Sequence, residues 1–347
     1  MNLGFIVNDI ASEKLVYATT HLAFRAMQMG HRVYFTGVGD LIYFPDGNMG
    51  ARARTVDASA STLEEFFNAL QSEENEEVVI TAQDLDVLWI RNDPSDDIEI
   101  RPWAQMAGVV FGKVAIQQGV VVLNHPDTLF DCQNKMYFQH FPEVVRPRTI
   151  ITRRAEDVQR FYEEQDHRIV IKPLQGSGGK DVFLLKEKAT NLHSIVDAVA
   201  RNGYVIAQEY LPLASEGDIR LIVMNGQALQ RDGKYVAVRR KNPEDDFRSN
   251  LSAGGHAVSV EVDDTMLRIV DQVRPKLLQD GVFMVGLDIV GDKLMEVNVF
   301  SPGGINDAAG IEGIDFNEPV IAALERKVYY KKLYGNRITN RELAVME

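Results

Sequence analysis

The stretch Gly286-Leu-Asp-Ile-Val-Gly-Asp-Lys-Leu-Met-Glu-Val-Asn-Val-Phe-Ser-Pro302 decides how this chain is read. Its two runs are rich in Val, Ile, Leu and Phe, as paired strands are, yet Asp288, Glu296 and Asn298 stand among the apolar residues. An ionised carboxylate held away from water needs a partner. Three oxygen donors on adjoining strands suit Mg²⁺, a hard cation that usually shares its coordination with substrate phosphates. Register decides whether they can meet. Were Gly291-Asp292 a two-residue hairpin loop, ideal pairing would set Asp288 opposite Met295 and turn Glu296 to the other face. A shared metal site therefore predicts an odd loop or a bulge that brings Asp288 beside Glu296.

Upstream of that hairpin, Asp218-Ile-Arg-Leu-Ile-Val-Met224, the turn Asn225-Gly226 and Lys234 to Arg240 read as an antiparallel meander, because Asn-Gly favours a tight hairpin. Arg220 and Arg240 lie on its strand-like runs close to Asp218, where a buried guanidinium requires an anion. Phosphoryl transfer calls for such charge, spread over oxygens that Mg²⁺ and Arg stabilise together. Earlier still, Gly176-Ser177-Gly178-Gly179 falls between strands, so it matches neither the P-loop nor the dinucleotide fingerprint. Its glycines nevertheless let a backbone fold over phosphates, and Lys172 just before it supplies positive charge. A mobile hairpin tip beside a solvated lysine is the plainer alternative.

The N-terminal third alternates strand and helix. Leu3–Val7, a helical pattern from Leu15 to Met29 stopped by Gly30, Val33–Thr36, Val87–Ile90, a long helical segment from Trp103 to Gln118, and Val120–Asn124 imply a parallel sheet flanked by helices. Pro126 opens a second unit, in which a helix ending near Lys135 is followed by strands at 149–152, 168–173, 182–185 and 204–211 and helices at 155–164 and 192–201. Domains are expected at 1–125, 126–212 and 213–335, with a helix over 319–333 and a polar tail over 336–347.

Length and composition bound the function. A chain of 347 residues, 45% apolar and 25% charged, holds two or three packed units. Its net charge of −13 argues against partners that require a basic surface, nucleic acid and acidic membrane among them. One cysteine, Cys132, excludes an internal disulfide and a Cys-based zinc site. No apolar run is long enough to span a membrane, and a cytoplasmic location is expected. No pair of histidines stands at metal or triad spacing.

Taken in order, Lys135, Lys172 with its Gly-rich loop, Ala207-Gln-Glu-Tyr-Leu211, Asp218-Ile-Arg220 and the Asp288, Glu296, Asn298 triplet resemble the motifs of the ATP-grasp ligases. Within that superfamily the chain looks most like the bacterial glutathione synthetases. That likeness extends to Arg91-Asn-Asp-Pro94, the Asn124 to Lys135 stretch, Asn250-Leu-Ser-Ala-Gly254-Gly255 and Val285 to Asp292. The resemblance implies mixed α/β and α+β architecture, an ATP-grasp fold preceded by a parallel-sheet α/β domain. It implies an ATP-dependent carboxylate-amine ligase that forms an acyl phosphate and releases ADP and phosphate.

By matched motif, ATP would be held by Lys135, Lys172, Gly176, Ser177, Gly178 and Gly179. Gln208, Glu209, Tyr210 and Leu211 would line the adenine site, with Glu209 backbone groups reading the base, and Asp218 would lie near the nucleotide. Asp288, Glu296 and Asn298 would hold two Mg²⁺ ions, with Mn²⁺ as a substitute. Arg220 and Arg240 would steady the acyl phosphate, and Arg91, Asn250, Gly254, Gly255 and Ser301 would face the substrate. The partners implied are small molecules: ATP, a dipeptide or small acid, and an amino acid, with a homo-oligomer also suggested.

Two places depart from the pattern. Ser301-Pro-Gly-Gly-Ile305 replaces the Ser-Pro-Thr that glutathione synthetases more often carry, and Asp245 to Leu251 resembles the ribosomal-protein-modifying glutamate ligases. A ligase adding glutamate or another amino acid to a different acid is thus the alternative, and a catalytically inactive nucleotide-binding regulator a third reading.

Overall fold

A computed structural model describes residues 1–176, 179–187, 189–241 and 256–347. Its first unit runs β1 (Asn2–Val7), α1 (Ala18–Gln28), β2 (Arg32–Gly37), β3 (Leu41–Tyr43), β4 (Met49–Thr55), α2 (Leu63–Gln71), β5 (Val78–Thr81), β6 (Val87–Ile90), α3 (Ala107–Gln117) and β7 (Val121–Leu123). Strands β2, β1, β6 and β7 pair in parallel, as the alternation requires. The sheet is not wholly parallel, however, because β4 pairs antiparallel with β2 and carries β3 and β5 beside it. These short strands and α2 carry too little apolar periodicity to stand out. One signal was there to find: Thr62-Leu-Glu-Glu65 forms a capping box at the start of α2.

The second unit is an antiparallel sheet in the order β10-β9-β11-β8, built from β8 (Thr149–Thr152), β9 (Ile169–Pro173), β10 (Phe183–Leu185) and β11 (Val205–Glu209). Helices α5 (Ala155–Glu164) and α6 (Leu192–Ala200) cover it; they follow α4 (Pro126–Asp131) in the chain. The third unit holds β12 (Asp218–Met224), β13 (Gln227–Ala228), β14 (Gln230–Arg231), β15 (Lys234–Tyr235), β16 (Ala237–Lys241), β17 (His256–Val258), β18 (Met284–Val290) and β19 (Lys293–Asn298). Its main sheet runs β17-β16-β12-β18-β19. Asn225 and Gly226 both take positive φ, 52° and 75°, the turn that Asn-Gly predicts. Helices α7 (Asp264–Gln279), α8 (Ile305–Glu312), α9 (Asn317–Tyr334) and α10 (Asn340–Val345) complete it.

The expected polar tail is instead the helix α10. Thr339 and Glu342 form its capping box, Leu343 and Ala344 are buried, and the Asn340 amide exchanges two hydrogen bonds with Val122 of β7. Its two apolar residues sit among polar ones, too few to mark a face in the sequence.

Apolar packing divides the molecule differently from chain order. One core runs from Ile6, Ile90 and Val122 to Leu221, Val285 and Leu287, and another from Phe5, Trp89 and Leu123 to Ile222, Phe283 and Leu324. Both join the first unit to the third. The second unit keeps its own core of Val158, Ile171, Val196 and Val205. Asn124, at the end of β7, completes the union. Its Nδ2 donates to the Met284 and Val299 carbonyls (2.9 and 2.6 Å), and its Oδ1 accepts from the Phe283 and Met284 amides (2.7 and 3.0 Å).

Candidate active site

The β18–β19 hairpin has the register that a shared site requires. Gly286 stands opposite Asn298 and Asp288 opposite Glu296, after which a bulge between Asp288 and Ile289 shifts the pairing. Alternate residues of a strand face one way, so Asp288, Glu296 and Asn298 share a face. Asn298 Nδ2 reaches Asp288 Oδ2 at 3.3 Å.

Beside this hairpin, β12 sets Arg220 opposite Asp288, and β16 sets Arg240 opposite Asp218. Arg220 grips Asp288 with Nε and Nη2, the latter at 3.0 Å. Arg240 joins both acids, through Nη2 to Asp288 at 2.7 Å and Nε to Asp218 at 3.1 Å. All four side chains are buried. Burial pushes the Asp288 carboxyl up, but Arg220 and Arg240 together outweigh it and hold the group below the ordinary carboxylate range. Gly286 makes room for this packing, since a Cβ there would come within 2.9 Å of Arg220 Cδ.

Across a cleft, the second unit presents amines. Lys172, on β9, donates to Gln208 Oε1 of β11 at 3.0 Å, and Lys135 Nζ bonds the Gly176 carbonyl while lying 3.5 Å from Glu296 Oε1. Loss of hydration pushes the Lys172 amine down to about 8; Glu296 opposes that shift and Lys135 adds to it. Leu174, Ile206, Met295 and Val297 line the same cleft and give it apolar walls.

The structure thus gathers Lys135, Lys172, Gly176, Gln208, Arg220, Glu296, Asn298 and Ser301 around one cleft, with Asp288, Arg240 and Asp218 linked to it through Arg220. Other expectations change. Lys135 is not carried by a helix, because α4 ends at Asp131; its amide is pinned to the Leu174 carbonyl at 2.9 Å. The Glu209 amide donates to the Arg148 carbonyl at 2.9 Å, which leaves its carbonyl as the backbone group that could meet a base. The Tyr210 ring lies under the Arg168 guanidinium at 4.2 Å, with Leu211 next in the chain. Arg91 is buried beneath α1, bonded to Thr19. Gly179 ends the glycine loop with a φ of 74°. Ser177, Gly178, Asn250, Gly254 and Gly255 lie outside the described residues. Sequence reasoning missed Tyr137 and Phe138 of the cleft wall, which read as ordinary core aromatics.

The donor chemistry fits a hard divalent cation. Two carboxylates and an amide face one way, and among the described residues no group of three or more His, Cys, Asp or Glu could form a closed protein cage. So few protein ligands match an ion that takes the rest of its shell from phosphate and water.

Comparison with known proteins agrees with this geometry. The family described as prokaryotic glutathione synthetase, N-terminal domain, matches residues 1–129, and prokaryotic glutathione synthetase, ATP-grasp domain, matches residues 134–313. Glutathione synthetase of Vibrio parahaemolyticus is 30% identical over 331 residues, covering 94% of this chain and 99% of the relative. That of Escherichia coli K12 is 28% identical over the same shares. Among solved structures, D-cycloserine synthetase DcsG superposes with a TM-score of 0.62 at 14% identity, covering 93% of this chain and all of its own. The ATP-grasp ligase PsnB, complexed with its minimal precursor, gives 0.57 at 17%, covering 93% and 98%. At such identities these two speak to the fold alone. Among the described residues, no helix is long and apolar enough to cross a membrane.

Proposed function

The chain belongs to the prokaryotic glutathione synthetase family of ATP-dependent ligases, and from that premise we propose that it joins the carboxylate of γ-glutamylcysteine to the amino group of glycine. In the proposed reaction a donor carboxylate oxygen attacks the γ-phosphorus of ATP and ADP departs. The glycine amine, once free of its proton, then attacks the acyl carbon, and phosphate leaves with the pair of electrons of the C–O bond. The observation that carries this reading is the pairing of two walls: amines of Lys135 and Lys172 on one, and the Asp288, Glu296, Asn298 face on the other.

Lys135 and Lys172 would take phosphate oxygens, and the Gly176–Gly179 backbone would cover them. Leu174 and Ile206, which line the cleft with Gln208, would give the adenine an apolar bed, with Tyr210 and Leu211 following on the same strand end. Asp288, Glu296 and Asn298 would hold up to two Mg²⁺ ions, which neutralise phosphate charge when bound. Arg220 and Arg240, held rigid by Asp218 and Asp288, would stabilise charge developing on the transferred phosphoryl group. Ser301 would lie near the incoming amine.

One feature keeps a second reading, an acceptor other than glycine, in play. Gly303 has open space where a side chain would stand, next to the cleft residues Ser301 and Pro302. ADP release with ATP, Mg²⁺, γ-glutamylcysteine and glycine, with product mass, tests the leading reading. Turnover only with another amino acid would move the assignment to the second, and no ADP release across a broad substrate panel would leave a nucleotide-binding protein.

A further inference from the structure

Two residues past Lys135, the cleft wall is tied to a helix that does not line the cleft. Tyr137 is 4% exposed, with its ring on the cleft wall and its hydroxyl donating to Asp280 Oδ2 at 2.7 Å. Asp280 caps the C-terminal end of α7 and is itself buried. A carboxylate is badly placed there, because the last carbonyls of a helix carry partial negative charge and burial strips the acid of water. Lys276, one turn earlier, offsets this with a bond to Oδ1 at 2.9 Å. The second oxygen is left for Tyr137. Burial pushes the Tyr137 hydroxyl up, with Cys132 and the bond to Asp280 adding to the rise, so the phenol keeps its proton and donates.

The same turn moors the chain that leads to the cleft. Thr128 of α4 donates its hydroxyl to the Asp280 carbonyl, and the His125 amide donates to the Gly281 carbonyl at 3.2 Å. Further on, Gln133 Nε2 donates to the Gln105 carbonyl of the first unit at 2.9 Å. Gln133 and Tyr137 therefore tie the segment to the body formed by the first and third units, one on each side of Lys135. Lys135 itself reaches the other way, with its amide on the Leu174 carbonyl and its amine on the Gly176 carbonyl, 3.5 Å from Glu296 Oε1. Although it faces the cleft beside Lys172, its flanks are fixed by that body. Lys172, on β9, is placed by the second unit alone.

We propose that Asp280 is a positioning residue of the phosphate site: through Tyr137 it fixes the wall over 132–139 on the body of the first and third units, and so holds the Lys135 amine beside the Asp288, Glu296, Asn298 face. This rests on the nucleotide reading above and adds to it a residue that touches no substrate. The bond that carries it is of the strong kind, a phenol hydroxyl on an ionised carboxylate shielded from water.

Calorimetric titration with Mg²⁺ and AMPPNP, a non-hydrolysable ATP analogue, tests this without any donor or acceptor substrate. Tyr137→Phe removes only the hydroxyl and should weaken AMPPNP about 10-fold, the low end for a lost hydrogen bond to a charged group. Adenosine, which has no phosphates, should keep its Kd, followed by NMR. Asp280→Ala should weaken AMPPNP to the same degree, and the double variant should bind no worse than the weaker single one, because both lose one shared bond. Losses that add, an unchanged AMPPNP affinity in Tyr137→Phe, or adenosine weakened as much as AMPPNP would each overturn the proposal, the last by revealing damage to the whole wall. Hydrogen exchange gives a second measure: the Lys135 amide, bonded to Leu174, should exchange about 10-fold faster in Tyr137→Phe, while α4, held separately by Thr128, keeps its protection. Should Asp280→Ala fail to fold, Tyr137→Phe decides by affinity and exchange together. If the parent protein binds no AMPPNP, the nucleotide reading falls; faster exchange at Lys135 in Tyr137→Phe then still sustains the tie, and unchanged exchange over 132–139 overturns it as well.

Discussion

The first and third units share two apolar cores and are pinned together by Asn124, whereas the β8–β11 unit keeps a core of its own and meets them across the cleft. The acids and arginines stand on the fused body, and Lys172 stands on the separate unit. A joint between independently packed units can open and close without disturbing either interior. On the proposed reading, this division would give the fused body the exact placement of charge and the separate unit the capture of the nucleotide.

The comparison breaks most visibly at Asp288. Asp288→Asn leaves Arg220 and Arg240 without their shared anion and removes a proposed metal ligand. ADP release should fall about 1000-fold or more. Stability should fall by about 3–5 kcal/mol, because the two guanidiniums stay buried. Lys172→Met on the other wall should lower ADP release by about 100-fold with no fall in melting temperature, since its amine is held there against the loss of hydration. Equal destabilisation by both would erase the distinction between the walls.

Asn124→Ala tests the fusion itself. It strands two carbonyls and two amides in the interior, and four bonds at about 1 kcal/mol each put the loss near 4 kcal/mol in urea unfolding. Activity per folded molecule should hold, because Asn124 touches none of the cleft side chains just described.

The separate unit should also carry a pH signature. Lys172 drops from 10.5 to about 8, so between those values the unfolded chain binds a proton that the folded protein has released. Stability therefore rises with pH through that window, in the sense set by proton linkage. Nucleotide capture runs the other way, because only the ammonium pairs with phosphate: kcat/KM for ATP should fall as pH passes about 8, and Lys172→Arg should flatten the fall.

The β18–β19 hairpin was legible because it broke a local rule. Carboxylates in apolar strands demand partners, and the need to bring Asp288 beside Glu296 calls for an odd loop or a bulge, of which the structure has the bulge. The lysines and the glycine loop followed from the same demand. Residues 41–81 and α10 were not legible, since short edge strands and a helix burying only Leu343 and Ala344 take their stability from neighbours and leave little local periodicity. Arg91 shows the same limit from the other side: its sequence context suggested a substrate contact, but only the fold reveals which of its nitrogens are spent and which are free.

The smallest expected effect lies at the rim, where the fused body touches the glycine loop. Lys180 Nζ, just after Gly179, meets Glu99 Oε1 at 2.6 Å, with both side chains mostly exposed. An ion pair this wet is screened by salt and contributes little to folding. Glu99→Gln should therefore leave the melting temperature where it is. The pair nevertheless links the two halves in a hollow beside the cleft that shares Leu174, Gln175 and Gly176 with it, so losing it should raise KM for ATP roughly two-fold at low ionic strength and not at all near 0.5 M salt, where charges are screened within a few ångströms. A salt-independent change, or one as large as that of Lys172→Met, would mean that Glu99 acts on the nucleotide itself and that the fused body reaches further into its capture than the two cores imply.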